Sequence, residues 1–164
     1  IPMTTSIDLR TKLISLGFSL IELHLMEGGV DHSDIGTFVG GDDSQVEKVT
    51  YSEETIWIDK AKTRGFKGVF KEIWSFYIGG YQVCHKWLKD RQAKGGKNPR
   101  PGHILTKGDI QYYQKIIAVI SETIRIMGEV DDVIEEHGGW PLEGSDEFEL
   151  PEESDEGQTG LFDF

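Results

Sequence analysis

The sequence predicts an α+β domain in which a small antiparallel sheet packs against three helices. Two stretches repeat apolar residues at helical spacing, and between them short segments alternate apolar and polar residues with period two. The 164 residues fit one compact domain with a tail, and a hydrophobic content of 37% supports a modest core. The longest aliphatic run, residues 116–120, is too short for a membrane span, so no membrane partner is expected.

The first helix and the sheet are predicted from the N-terminal half of the sequence. Leucines recur every three to four residues over 8–27, and two glycines follow as a stop signal. The Gly- and Asp-rich residues 28–45 predict a loop. Strict alternation predicts strands over 46–51 and 55–58, and a third extended piece is expected over 73–77.

A second helix is expected over 81–91, with Tyr81, Cys84 and Leu88 on one face. The single cysteine excludes an internal disulfide, which favours a reducing intracellular compartment, and a cytoplasmic location is expected. We expect Cys84 to be a small core residue rather than a nucleophile. The prolines and paired glycines of residues 92–103 exclude a continuous helix there.

The third helix is predicted to begin at Thr106, because Asp109 three residues later makes a variant of the capping box. Its apolar periodicity fades near His137. Residues 138–164 are acidic and lack that periodicity until the last few positions, so they are expected to form a disordered tail. The predicted organisation is therefore a domain over 1–137 and a tail over 138–164.

The net charge of −12 is unevenly distributed along the chain. Residues 60–107 carry 12 Lys or Arg and two acidic residues, whereas 126–164 carry 14 acidic residues and no Lys or Arg. Because a local cationic patch sets phosphate affinity more directly than net charge does, a polyanionic partner is compatible with this composition. The acidic tail could compete for the same patch.

Sequence motifs for catalysis and for metal binding are missing from the chain. It has no GxGxxG motif and no phosphate-binding loop, and its five histidines lack the spacing of metal ligands. We therefore expect no catalytic residue and no metal site here, and an independent enzyme ranks behind the binding functions considered below.

The run from Ile73 to Arg91, with Ile-Gly-Gly-Tyr at its centre, carries a family resemblance. With residues 108–116 and 121–127 in the same order, it resembles the C-terminal specificity domain of type ISP restriction-modification enzymes and related adenine-specific DNA methyltransferases. Further matches lie upstream, at residues 1–2, 20–25 and 46–51. The resemblance covers roughly residues 1–136.

This resemblance implies a target-recognition module for double-stranded DNA, coupled to an upstream methyltransferase domain that methylates adenine. It implies that the catalytic Asn-Pro-Pro-aromatic motif and S-adenosylmethionine belong to that upstream part, so the chain is expected to be a C-terminal fragment. The chain departs from the family at Tyr77, where Arg is usual, and in a longer, more basic loop between Arg91 and Thr106. That loop suggests a DNA contact peculiar to this chain.

The candidate DNA-contacting residues are the cations of the basic stretch, with Tyr81 for stacking and Gln82 for adenine. They are Lys60, Lys62, Arg64, Lys67, Lys71, Tyr81, Gln82, Lys86, Lys89, Arg91, Lys94, Lys97 and Arg100. The alternative for each Lys is a solvated surface charge. For Tyr81 and for Trp57, Trp74 and Trp87, core packing is expected ahead of base contact.

The last seven residues resemble the short C-terminal peptides that dock on DNA sliding clamps. Gln158, Leu161 and Phe164 have the required spacing, and Phe162 is an additional apolar anchor. The alternative is a tail that packs its aromatic residues on its own domain. The runner-up function is therefore a protein-interaction adaptor that binds a clamp through this peptide.

Overall fold

The structure, a computed structural model, describes residues 6–26, 35–41 and 44–140. Helices and strands are mixed along the chain, and the predicted α+β class is confirmed. In chain order the elements are α1 Ile7–His24, β1 Thr37–Val39, β2 Thr50–Ser52, β3 Thr55–Trp57, β4 Gly65–Lys67, α2 Lys71–Trp74, β5 Tyr77–Ile78, β6 Tyr81–Gln82, α3 Val83–Arg91 and α4 Lys107–Glu136.

The four-stranded antiparallel sheet has the order β1-β4-β3-β2. Ile56 of β3 pairs with Phe66 of β4, and both side chains are fully buried. The Phe66 ring packs edge-on against Tyr113 of α4, with 4.6 Å between ring centroids. One face of the sheet is therefore covered by the first half of the long helix.

Helix α4 is the central element because both halves of the fold pack on it. Its start has the predicted capping box, in which Thr106 and Asp109 exchange hydrogen bonds. Its second half carries α1, where Leu9 packs with Ile134 and Leu23 packs with Ile126. The fold thus places the sheet and α1 at opposite ends of a 30-residue helix.

Helix α3 packs on α4 through buried apolar and aromatic contacts. The Tyr113 hydroxyl donates to the Cys84 carbonyl oxygen at 2.9 Å, and the Trp87 ring stacks on Tyr113 with 4.9 Å between centroids. Burial raises the pKa of the Cys84 thiol to about 12. Cys84 is a core residue, as predicted, and α3 is held rigidly against the long helix.

The structure corrects the prediction of an extended piece over 73–77. Residues 71–74 form α2, in which Ile73 is buried, and only 77–78 are extended. A short apolar run fits either a helical turn or a strand, so alternation alone could not separate the two. Residues 81–82 form β6 instead of the first turn of the second helix.

Three-residue strands explain the other differences in the sheet. Strand β1 lies inside the predicted loop 28–45, and β4 was not predicted. In the predicted strand 46–51, only 50–51 belong to the ladder, while Val46 bonds to the loop before α4. Strands this short carry too little alternation to be recognised in the sequence.

Asp59 stabilises the turn between β3 and β4 from a buried position. Its carboxylate accepts hydrogen bonds from the backbone and hydroxyl of Thr63 and from the Arg64 backbone, and the Arg64 Nε lies 3.7 Å away. Burial raises the pKa of Asp59, but these hydrogen bonds and the Arg64 charge outweigh it, so the pKa is lowered. Asp59 therefore stabilises the fold above its ordinary pKa, and this contribution is lost as the pH falls through its folded-state pKa.

We predict that Asp59→Asn lowers the free energy of unfolding by about 2 kcal/mol at pH 7. The difference from the unmodified chain should be smaller at acid pH, because Asp59 becomes protonated in both states once the pH has fallen through its lowered folded-state pKa. Urea unfolding at the two pH values measures both quantities. Asp131→Asn, an exposed carboxylate on α4, is the matched control. An equal loss at both pH values would contradict this role.

Candidate nucleic-acid interface

The longest basic connection in the structure, residues 92–103, is called the basic loop below. Its middle is closed by two backbone hydrogen bonds, because Lys94 and Arg100 each donate to the other's carbonyl oxygen at 2.8 Å. The enclosed residues 95–99 are all exposed, and Lys97 lies among them. The Arg100 guanidinium donates to the Asp90 carbonyl oxygen at 2.8 Å, which ties this projection to the end of α3.

The base of the basic loop is clamped to the core around Val46. The backbone N–H of Ala93 donates to the Val46 oxygen at 3.0 Å, and the Val46 N–H donates to the His103 oxygen at 2.9 Å. Gly102 is buried at this crossing, where an added Cβ would lie 2.0 Å from the Val46 oxygen. Only glycine permits this close backbone approach, so the clamp fixes where the cations of the loop project.

An open cleft of about 740 Å³ lies between the basic loop, the end of α3 and the start of α4. Its lining residues are Asp90, Arg91, Arg100, Pro101, Gly102, His103, Ile104 and Asp109. Both carboxylates already have partners: Lys86 binds Asp90, and Thr106 binds Asp109. Hydrogen bonds from these partners lower the pKa of each carboxyl group, so both stay ionised and paired at neutral pH.

Nine of the predicted cations are exposed. These are Lys60, Lys62, Lys67, Lys71, Lys86, Lys89, Lys94, Lys97 and Arg100. The structure brings those of α3 and the basic loop together, since Arg100 contacts the Asp90 backbone and Lys86 binds the Asp90 carboxylate at 2.5 Å. Lys62 lies against β2, where its Nζ donates to the Ser52 hydroxyl at 3.0 Å.

Three other predicted DNA contacts already serve protein partners. The Arg64 side chain is only 12% exposed and binds the Glu47 carboxylate at 2.7 Å. The Arg91 guanidinium lies 3.5 Å from the centre of the Trp87 ring. The Gln82 side-chain nitrogen donates to the Trp74 oxygen at 2.5 Å. These residues hold the scaffold, and their role in binding DNA stays a prediction.

An exposed hairpin precedes α3, and we call β5, its turn and β6 the aromatic hairpin. Gly79 and Gly80 both have positive φ, as a two-residue type I′ turn requires. Tyr77, Ile78 and Tyr81 are each more than half exposed. Tyr81 therefore does not pack in the core, contrary to the prediction. The sequence did not identify Tyr77 and Ile78 as surface residues, because they continue the largely apolar run that begins at Ile73.

Trp74 and Trp87 pack against the core, as the sequence predicts, and Trp57 is half-buried in β3. Trp74 stacks on Tyr51 with 5.2 Å between ring centroids, Trp87 stacks on Tyr113, and the Trp57 indole donates to Ser52 at 3.0 Å. Tyr77 and Tyr81 of the aromatic hairpin are exposed to solvent, as are Phe70 before α2 and Tyr112 of α4. The Lys86 ammonium lies 5.9 Å from the Tyr81 ring centre, which joins the hairpin to the cations of α3.

Three further sequence predictions concern a metal site, a membrane span and the C-terminal peptide. Among the described residues, no three His, Cys, Asp or Glu side chains are grouped to hold a metal ion. In the same residues, no helix has the length and hydropathy needed to cross a membrane. The peptide that resembles sliding-clamp ligands, with Gln158, Leu161, Phe162 and Phe164, lies outside the described part of the chain.

Comparison with solved structures finds two with a similar fold. One is a nuclease-deletion mutant of the Type ISP restriction-modification enzyme LlaGI in complex with a DNA substrate mimic. It has a TM-score of 0.51 and 17% identity, covering 80% of this chain and 11% of that one. The other is the ATP-dependent Type ISP restriction-modification enzyme LlaBIII bound to DNA, with a TM-score of 0.53 and 17% identity, covering 81% of this chain and 9% of that one. This chain therefore spans about a tenth of those proteins.

The sequence itself gives the family assignment. No curated protein matches it. The family model of the Type ISP C-terminal specificity domain matches residues 1–129, which is most of the chain and includes the first half of α4, α3 and the aromatic hairpin. The chain belongs to the Type ISP C-terminal specificity domain family.

Proposed function

We propose that this chain recognises a double-stranded DNA site on behalf of a restriction-modification enzyme. The observation that carries the proposal is the clamped basic loop, which lies at one end of α3 while the aromatic hairpin lies at the other. Membership of a specificity-domain family supports it, as do the two similar structures, which are complexes with DNA or a DNA substrate mimic.

The two features suit different parts of a duplex. Lys94, Lys97 and Arg100 project from a backbone that is fixed at its base, so they can bind phosphates at a defined register. Tyr77, Ile78 and Tyr81 offer apolar surface for base edges or thymine methyl groups in a groove. Phosphate contacts position the domain, and the hairpin supplies sequence preference.

Methylation of adenine belongs, in this proposal, to a separate methyltransferase domain that binds S-adenosylmethionine. Type ISP relatives are about ten times longer than the region matched here, which leaves room for such a domain in a parent protein. This chain would select the site, and the partner domain would carry out the chemistry.

Selection from a pool of random duplexes tests sequence recognition directly. The chain is immobilised, bound duplexes are amplified over several rounds, and the enriched sequences are compared. We expect one short motif to be enriched, and a competitor duplex with a single substitution in it to bind about tenfold more weakly. Recovery of unbiased sequences at every round would contradict the proposal.

Tyr81→Ala should lower affinity for the selected motif by about tenfold and affinity for unrelated duplexes much less. The Tyr81 side chain is exposed, so its removal leaves the core intact. Trp140→Ala is the matched control, because Trp140 is 64% exposed against 62% for Tyr81 and lies beyond the other end of α4. Fluorescence anisotropy with labelled duplexes measures both; equal losses on both duplexes would exclude a role in specificity.

The C-terminal peptide supports a second, separate role as a sliding-clamp ligand. Gln158, Leu161 and Phe164 match the spacing of such ligands. Replacing both Leu161 and Phe164 with Ala should abolish retention of the chain on an immobilised, purified clamp. Unchanged retention of the double variant would remove this role without affecting the proposal for DNA.

A further inference from the structure

We propose that the aromatic hairpin inserts Ile78 between two adjacent base pairs of the bound duplex, from the minor groove, and so unstacks that base step. The inference rests on the proposed function and specifies how the hairpin contributes to it. Residues 77–82 contain no charged side chain, and their one amide, on Gln82, donates to the Trp74 carbonyl oxygen at 2.5 Å. Apart from the two tyrosine hydroxyls, the hairpin therefore meets DNA with apolar side chains rather than with groups that hydrogen-bond to base edges.

Ile78 projects next to the turn of the hairpin, beside an aromatic ring. Ile78 and Tyr81 are directly opposite each other in the pairing of β5 with β6, so their side chains leave the same face. Ile78 is 55% exposed and Tyr81 is 62% exposed. A single exposed isoleucine is ordinary on a protein surface, but this pair forms a projecting apolar edge. Isoleucine is among the side chains that DNA-binding proteins insert between base steps.

The base of the hairpin is fixed to the core, as insertion requires. The Val83 backbone N–H donates to the Phe76 carbonyl oxygen at 3.2 Å, and both side chains pack against the main core cluster. The Gln82 hydrogen bond ties β6 to Trp74, whose ring stacks on Tyr51. Because unstacking a base step costs free energy, a side chain that opens one needs a backbone that does not yield.

The turn of the hairpin carries no side chain that would keep it out of a narrow groove. A type I′ turn accepts Asn at its first central position, yet residues 79 and 80 are both glycine here. Gly79 has a φ of 55°, which Asn also adopts, and among the described residues no atom lies within 4 Å of where its Cβ would be. The fold therefore leaves room for a side chain at this position. A bare turn suits the minor groove, which is only about 6 Å wide.

Insertion gives sequence preference without hydrogen bonds to base edges. TA and CA/TG steps are the most easily unstacked, so a duplex that offers one at the right distance from the phosphate contacts is favoured. The exposed Lys86, whose Nζ lies 5.9 Å from the Tyr81 ring centre, places a cation beside the hairpin for the phosphates of the opened step.

The fluorescence of 2-aminopurine tests insertion directly. This adenine analogue is placed at each adenine of the selected motif in turn, and it brightens when the base loses a stacking neighbour. Anisotropy of a dye at the end of the same duplex reports binding. We expect the saturating 164-residue chain to raise the fluorescence severalfold at one TA or CA step, and Ile78→Ala to remove this increase at saturation. Ile14→Ala, which changes an isoleucine of α1 that is 48% exposed, is the matched control and should keep the increase.

Gly79→Asn separates insertion from folding. This variant should keep the melting temperature of the unmodified chain, because the turn accepts Asn, and should lose the fluorescence increase, because the new side chain lies at the tip. Binding without an increase at any position would overturn insertion and leave the proposed function standing. An increase that persists in Ile78→Ala would also overturn it. Absence of binding to any duplex would overturn both insertion and the proposed function.

Discussion

We expect replacement of both Lys94 and Lys97 by Ala to lower the affinity of this chain for duplex DNA by roughly 60-fold at 0.1 M salt. Both side chains are exposed on the basic loop. Each lost phosphate contact removes about 0.9 from the slope of log affinity against log salt, and two such losses give this factor at 0.1 M. The backbone bridge between Lys94 and Arg100 does not involve the lysine side chain, so the loop keeps its shape.

Two comparisons separate phosphate binding from a general effect of charge. The loss should fade as salt approaches 1 M, because released counterions then contribute little. Lys12→Ala removes one positive charge near Glu136, about 40 Å along α4 from the basic loop, and should change affinity less than Lys97→Ala does. Equal losses for Lys12→Ala and Lys97→Ala would mean that net charge, rather than the loop, determines binding.

Gly102→Ala should lower the free energy of unfolding by about 3 kcal/mol. The added Cβ would lie 2.0 Å from the Val46 oxygen, 2.7 Å from the Val46 carbonyl carbon and 3.3 Å from the Ala93 nitrogen. All three are backbone atoms and cannot rotate away. Relief therefore requires the hydrogen bond from Ala93 to Val46 to lengthen, which loosens the base of the basic loop.

Urea unfolding measures this loss, with Gly95→Ala as the matched control. Gly95 belongs to the same loop, and among the described residues nothing lies within 4 Å of its added Cβ, so its substitution should change stability by less than about 0.5 kcal/mol. At temperatures where Gly102→Ala remains folded, it should also bind DNA more weakly. A fully stable Gly102→Ala chain would show that the clamp around Val46 is not rigid.

The long helices of this fold were predictable from the sequence, and the short strands were not. The leucine repeat of α1 and the capping box at Thr106 specify their helices locally, so both were located correctly. Strands β1 and β4 each contain three residues and depend on pairing with neighbours distant in sequence. Nothing within three residues separates such a strand from a loop.

The candidate site shows the same division. Lys94, Lys97 and Arg100 were predicted from local composition, and their exposure agrees with a binding surface. The partner of Arg64 is Glu47, a tertiary contact that sequence spacing does not reveal. Arg91 lies over Trp87, four residues earlier on α3, which is a spacing at which side chains of one helix meet. The clamp at Gly102 joins two segments more than 50 residues apart, so only the folded chain shows why that glycine is needed.

The salt dependence of duplex-DNA affinity for the unmodified chain tests the central claim most directly. Affinity should be measurable at 50 mM salt, and its logarithm should fall linearly with the logarithm of the salt concentration. If Lys94 and Lys97 both bind phosphates, the slope should be about −2 or steeper. Loss of about 1.8 from that slope in the Lys94→Ala/Lys97→Ala chain would assign it to the basic loop. Absence of binding at 50 mM salt, or an affinity that salt does not change, would contradict DNA recognition by this domain.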